Sequence, residues 1–263
     1  MCATCGCAGT GVRVTGPDDG HNHDHIHNHD QDHGHGHGHV DAGTHTVDLA
    51  VDVLSANDRL AERNRRALVE RGVIAINLMS SPGSGKTTLL ERTVRDLGAE
   101  LPIGVLEGDQ ETRLDAERIG ATGVPAVQIN TGAGCHLDAD MVDAGLRALA
   151  PDPGTLVFVE NVGNLVCPAL FDLGERARVV IMSVTEGADK PLKYPHMFRT
   201  ADLMLVNKID LLPYVDFDVA RCVDYARRAR PDVPVLEISA TRGDGLDAWY
   251  SYLRTLLPPG VGR

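Results

Sequence analysis

No stretch of this chain is apolar over the roughly 20 residues that a membrane-crossing helix needs. Nor does the chain open with a basic segment followed by an apolar one, so no secretory leader is expected. A basic surplus is missing too. The formal charge is −12, which argues against general affinity for nucleic acid. Six Asp against one Arg before residue 46 account for about five of those charges, and the rest fall on residues 46–263. Without a leader or a span the expected compartment is the cytoplasm, where thiols stay reduced. The six cysteines are then expected to be ligands or core residues, not disulfides. Residues 1–45 also lack the apolar content of a core. They read as a disordered Cys/His-rich tail, followed by a helix over 46–72 and one folded domain over 73–263.

What is present centres on Ser80-Ser81-Pro82-Gly83-Ser84-Gly85-Lys86-Thr87-Thr88. An apolar, β-branched run over 73–79 precedes it and reads as a buried strand. A helical pattern over 89–97, closed by Gly98, comes after it. A Gly-rich turn between strand and helix aims backbone N–H groups and a helix N-terminus at one point, which is a phosphate site. Lys86 then reaches the terminal phosphates and the Thr87 hydroxyl holds Mg²⁺. The usual pattern has Gly six residues before the lysine, where this chain has Ser80.

Downstream, strands are expected over 102–106, 126–129, 155–159, 178–184, 203–206 and 235–238. Helices are expected over 111–120, 138–150, 219–230 and 246–257. The alternation implies an α/β fold of the P-loop NTPase kind, a mostly parallel sheet with helices on both faces. Ligands of such sheets sit at the strand C-termini, where Asp109 and Glu160 also fall. Both carboxylates can reach the Mg²⁺ held by Thr87. Asn207-Lys208-Ile209-Asp210 supplies base specificity. A carboxylate at Asp210 accepts both N1–H and the exocyclic amine of guanine, whereas adenine would set a lone pair against it. Asn207 and the Lys208 stem brace the base, and Ser239-Ala240 fits a final base-contacting loop.

The remaining chemistry is metal binding. Cys2, Cys5 and Cys7 can converge on one soft ion, with the α-amine of Cys2 completing the set once Met1 is removed. Ten of the twelve histidines lie in the tail, nine of them in two alternating runs: His21, His23, His25, His27 and His29, then His33, His35, His37 and His39. Neutral imidazoles on a mobile tail make a buffer for Ni²⁺, Cu²⁺ or Zn²⁺. Cys135-His136 and Cys167 lie in loops near the nucleotide and offer two thiolates and an imidazole, a set that a dimer could complete. Cys222 reads as a core thiol and His196 as structural. The basic face of the leading helix reads as solvated, with Leu49, Val53, Leu60 and Leu68 on the opposite face.

From Cys2 to the last helix the sequence resembles the HypB family, the GTPases that assist nickel insertion into nickel–iron hydrogenase. The resemblance rests on the tail motifs, on Ser80–Thr88, on Glu107-Gly108-Asp109, on Gly134-Cys135-His136-Leu137, on Glu160–Pro168, on Asp189–Pro195 and on Asn207–Asp210. It implies a G domain that binds GTP with Mg²⁺ and dimerises with it. It also implies a nickel site at the tail cysteines and a weaker Ni²⁺/Zn²⁺ site at Cys135, His136 and Cys167. Its implied partners are a HypA-type nickel chaperone and the precursor of a hydrogenase large subunit, with SlyD-type prolyl isomerases in some organisms. A urease accessory GTPase of the same class stays open, although Cys135-His136 lacks the intervening proline expected there. So does a passive nickel/zinc store with a vestigial G domain. Asn164 is a candidate for orienting water, and Lys190 or Lys193 for reaching a partner's nucleotide.

Overall fold

A computed structural model describes residues 42–109 and 118–257, with side chains from residue 51 onwards. The tail cysteines and the nine histidines from His21 to His39 lie outside those residues, as does most of the helix expected over 111–120, of which 118–120 are helical. No helix among the described residues is long and apolar enough to cross a membrane.

The chain enters through a long helix, α1 (Ala42–Glu70), which starts four residues earlier than the sequence led us to expect. Extending a formed helix adds one bond per residue fixed, so the extra turn costs little. α1 ends at Gly72, whose N–H donates to Val69 O while Val73 N–H donates to Leu68 O, a Schellman closure. β1 (Ile74–Ser80) comes next, buried at every position. Its alternation sorts the core: Ile74, Ile76 and Leu78 pack toward α2 (Lys86–Leu97), while Ala75 packs toward α1.

The remaining strands are β2 (Ile103–Asp109), β3 (Ala126–Asn130), β4 (Leu156–Glu160), β5 (Ala177–Ser183), β6 (Leu203–Asn207) and β7 (Val235–Glu237). Between them run α3 (Ala139–Leu149), the short α4 (Lys190–Lys193) and α5 (Pro195–Arg199), then α6 (Val219–Ala229), with α7 (Leu246–Leu256) closing the fold. Asp138 and Asp218 cap α3 and α6 by accepting from Met141 N and Arg221 N.

All seven strands are parallel, in the order β3-β2-β4-β1-β5-β6-β7. Parallel strands with buried faces need helices on both sides, as the near-continuous apolar runs foretold. α2 and α7 cover one face, through Leu89, Leu90, Val94, Trp249 and Leu253. α1, α3 and α6 cover the other. The order reverses around β1, so a crevice opens at the carboxyl edge of the sheet beside the turn after that strand.

The docked face of α1 differs from the expected one. Asn57, Ala61, Asn64 and Leu68 are buried, whereas Val53 is exposed and Leu60 half-buried. Asn57 Nδ2 donates to Asp172 O and its Oδ1 accepts from Ala139 N, while Asn64 Nδ2 donates to Ala139 O and Leu173 O. Two buried amides, beside Ala61 and Leu68, hold the helix to the start of α3 and to the loop before β5.

Candidate functional site

Gly83 and Gly85 adopt φ of 74° and 97°, which turns the chain sharply between β1 and α2. At Gly85 the demand is double, because a Cβ there would lie 2.7 Å from Asn207 Nδ2. No side chain caps α2, so its first N–H groups face the crevice. Lys86 Nζ donates to Ser80 Oγ at 2.8 Å, which gives the departure from Gly at position 80 a contact to make. Ser84 Oγ is buried and has no hydrogen-bond partner among the described residues, as suits an atom that meets a phosphate oxygen.

A cavity of about 500 Å³ opens over this turn. Lys86, Thr87, Glu107, Asp109, Arg118 and Glu160 are among the residues lining it. Thr87 Oγ1 donates to Glu160 Oε1 at 2.7 Å, so the hydroxyl and the carboxylate expected at Mg²⁺ already meet. Asp109 lines the same space from the end of β2. The donor set, a hydroxyl and carboxylates beside a phosphate cradle, fits a hard cation.

A second cavity, of about 300 Å³, adjoins the first through Gly85, Thr88 and Lys208. Asn207, Asp210, Leu211, Ala240 and Thr241 complete its lining. Asn207 organises it: Nδ2 donates to Ser84 O at 2.9 Å, and Oδ1 accepts from Lys208 N and Ala240 N. Lys208 Nζ donates to Gly83 O at 2.7 Å, laying its stem along the cavity. Ser239 Oγ donates to Asp210 Oδ1 at 2.6 Å and so fixes the carboxylate. The two cavities are thus knit together through Asn207 and Lys208.

On the far side of Glu160, the donor atoms of Cys135, His136 and Cys167 lie within 4.8 Å of one another. The two sulfurs are 3.1 Å apart, and Cys135 Sγ is 3.7 Å from His136 Nδ1. Three residues from two loops therefore converge within one chain. The His136 ring stacks on Phe171 with centroids 4.0 Å apart. Burial holds its pKa below the ordinary imidazole range, against an opposing pull from Asp138. A neutral imidazole beside two sulfurs has the chemistry of a Ni²⁺ or Zn²⁺ ligand set.

The other residues singled out in the sequence make local contacts or pack in the core. Asn164 turns to the loop of Cys135: Nδ2 donates to Cys135 O at 3.4 Å, and Oδ1 accepts from Val166 N at 2.8 Å. Lys190 pairs with Glu186 at 3.7 Å and Lys193 with Asp189 at 2.7 Å. Cys222 is fully buried in the core; desolvation first, then the charges of Glu186 and Asp218, push its thiol up to about 12. His196 is exposed.

Sequence reasoning missed Glu107 and Arg118 as lining residues. Glu107 was legible, since strand alternation puts it on the same face as Asp109. Arg118, bonded to Glu91 Oε2 at 2.8 Å, carried no local signal.

Residues 74–237 match the family described as CobW/HypB/UreG, nucleotide-binding domain. The chain is similar to the hydrogenase maturation factor HypB of Escherichia coli strain K12, with 54% identity over 223 residues, 82% of this chain and 77% of that protein. It is also similar to the crystal structure of HypB from Archaeoglobus fulgidus, at TM-score 0.72 and 44% identity, covering 78% of this chain and 100% of that one. The crystal structure of HypB from Helicobacter pylori in complex with nickel aligns at TM-score 0.71 and 37% identity, over 76% of this chain and 94% of that one.

Proposed function

This chain belongs to the HypB family of hydrogenase maturation factors, and on that premise we propose that it is a GTP-hydrolysing nickel metallochaperone acting in hydrogenase maturation. One observation carries the reading. The cavity over Lys86 and the Cys135, His136 and Cys167 cluster share the short segment that begins at Glu160.

In this reading the α2 N-terminus, Lys86 and Ser84 hold the phosphates, and Asp210 selects guanine. Thr87, Asp109 and Glu160 would hold Mg²⁺, which when bound neutralises phosphate charge. Lys86 and the backbone N–H groups of the turn orient the terminal phosphate and stabilise charge that grows on it. The metal is cargo. Cys135, His136 and Cys167 bind Ni²⁺, with Zn²⁺ as a competitor of like chemistry. GTP orders the segment from Glu160 to Cys167 and moves Cys167 relative to Cys135, changing metal affinity; hydrolysis reverses the change and passes nickel on. Cys2, Cys5 and Cys7 and the tail histidines hold the supply.

The proposed partners are a second copy of the chain, a HypA-type nickel chaperone and a hydrogenase large-subunit precursor, met in the cytoplasm. The nickel complex of the Helicobacter pylori relative supports the cargo, and the Asn207–Asp210 geometry supports the nucleotide. The test is GTP turnover with and without nickel, on the unaltered chain and on Cys167→Ala. Nickel is expected to change turnover of the first and not of the second. Nickel affinities equal in the GTP- and GDP-bound protein would sink the switch.

A further inference from the structure

We propose that Asn161 is a positioning residue that transmits nucleotide state from Glu160 to His136, acting on the buried peptide at Leu137. The inference rests on the switch reading above and names the part that makes it work.

Asn161 directly follows Glu160, at the end of β4, and is 1% exposed. Its Oδ1 accepts two backbone donors. One is Val162 N, at 3.0 Å, in the segment that lines the phosphate cavity. The other is Leu137 N, at 3.1 Å, in the residue after His136. One oxygen therefore serves the nucleotide segment and the metal loop together. Its own N–H donates to Leu78 O at 3.1 Å, near the end of β1. Nδ2 donates to Asn77 Oδ1 at 3.2 Å, and Asn77 Nδ2 donates in turn to Glu175 Oε1 at 3.2 Å. This chain explains why a polar residue stands mid-strand in β1 with no exposure.

Leu137 is held from a second side as well. Its side chain is fully buried over Gly108, where a Cβ would come within 2.8 Å of Leu137 Cδ1. Gly108 lies between Glu107 and Asp109, two of the cavity carboxylates. The residue beside His136 thus rests on the ends of both strands that deliver acids to the phosphates.

The shared oxygen has a physical consequence. When Val162 and Gly163 turn toward a bound γ-phosphate, the Val162 N–H leaves or re-aims at Asn161 Oδ1. Leu137 N is buried and cannot take water instead, so it must follow its acceptor. The peptide after His136 moves with it, and the imidazole shifts against Cys135 and Cys167. Linkage makes the effect reciprocal, so metal at the cluster biases the Val162 segment. Position between two sites is not coupling, so the test must measure coupling itself.

The experiment uses the full chain carrying Cys2→Ala, Cys5→Ala and Cys7→Ala. Ni²⁺ is titrated with GDP or a non-hydrolysable GTP analogue bound, by thiolate-to-nickel charge-transfer absorption, which the tail imidazoles do not give. The measured quantity is the ratio of apparent nickel affinities in the two nucleotide states, in which the tail buffer cancels. We expect a ratio of at least about fivefold in this background, a common size for coupling between sites. Adding Asn161→Ala should bring it within about twofold of unity while nickel still binds. A folded Asn161→Ala protein that keeps the parent ratio overturns the assignment. A parent ratio of unity instead overturns the switch reading itself, and this inference with it. Should Asn161→Ala fail to fold, amide exchange at Leu137 in the unsubstituted chain decides. Exchange that differs between the two nucleotide states supports the role, and exchange indifferent to nucleotide refutes it.

Discussion

Asp210→Asn should exchange the preferred base. The Asp210 carboxylate stands on the turn after β6, fixed by Ser239 Oγ at 2.6 Å and lining the smaller cavity. Guanine offers it two donors, N1–H and the 2-amino group. Each hydrogen bond to a charged group is worth about 1.5–3 kcal/mol. After Asp210→Asn the remaining oxygen accepts one donor without the charge, while the new NH₂ faces the other donor. One charge-assisted bond is lost and one is weakened, a change of about 2–4 kcal/mol. At about 1.4 kcal/mol per decade, GTP affinity falls roughly 30- to 700-fold. Xanthine carries a carbonyl where guanine has its amine, so the NH₂ gains an acceptor and XTP affinity rises. Ser239 Oγ can still bond the amide, so unfolding free energy should change by less than about 0.5 kcal/mol. Displacement of a fluorescent nucleotide by GTP and by XTP measures both affinities. A variant that keeps GTP affinity within threefold, or gains none for XTP, refutes the placement of the base beside Asp210.

Other substitutions probe the frame around the site. Gly85→Ala sets a methyl 2.7 Å from Asn207 Nδ2 at a φ of 97°, so it should weaken GTP binding at least tenfold by equilibrium titration while the sheet stays folded. Trp249→Phe removes the buried donor that meets Thr93 Oγ1 at 2.9 Å between α7 and α2. Urea unfolding should show a loss of about 1–2 kcal/mol, with GTP affinity unchanged. Cys222 has its thiol held protonated up to about 12 in the folded state, against an ordinary value of 9.0. Its contribution to stability is therefore complete below pH 9 and is lost as pH rises toward 12, because the unfolded chain gives up its proton first. Cys222→Ala should flatten that alkaline decline in denaturation measured from pH 8 to 11, and an unchanged slope would contradict the assignment.

The parts of this protein that were legible are those written in local spacing. Strand, Gly-rich turn and helix succeed one another within 73–97, so the P-loop could be read without coordinates. The placement of Asn207 to Asp210 at a cavity beside the turn could be read likewise, because all four follow directly on a strand. Cys135, His136 and Cys167 stand out in the sequence by their donor chemistry; their convergence needs the fold, since 32 residues separate the two sulfurs. What sequence could not give is the amide network. Asn57, Asn64, Asn77 and Asn161 look like surface or turn residues by composition, yet all four are at least 95% buried. Each is satisfied by a partner far away in the chain, as Asn77 is by Asn161 across 84 residues. Periodicity counts apolar positions and is blind to such pairs.

The same network ties the segment after Glu160 to the loop of Cys135 and His136. Glu160 and Cys167 are seven residues apart, and the chain between them is pinned twice to the loop of Cys135 and stiffened once within itself. Asn161 holds Leu137 N, Asn164 reaches Cys135 O, and Val166 N returns to Asn164 Oδ1. A fully extended seven-residue segment spans only about 25 Å, and pinned at these points it has far less slack. Because buried backbone donors must keep acceptors, a rearrangement at Glu160 has two ways to resolve. The pins break, leaving Leu137 N unsatisfied in the core, or the metal loop moves with the segment. The second keeps Leu137 N bonded, and under the proposed switch it would carry the state of the nucleotide to His136 and Cys135.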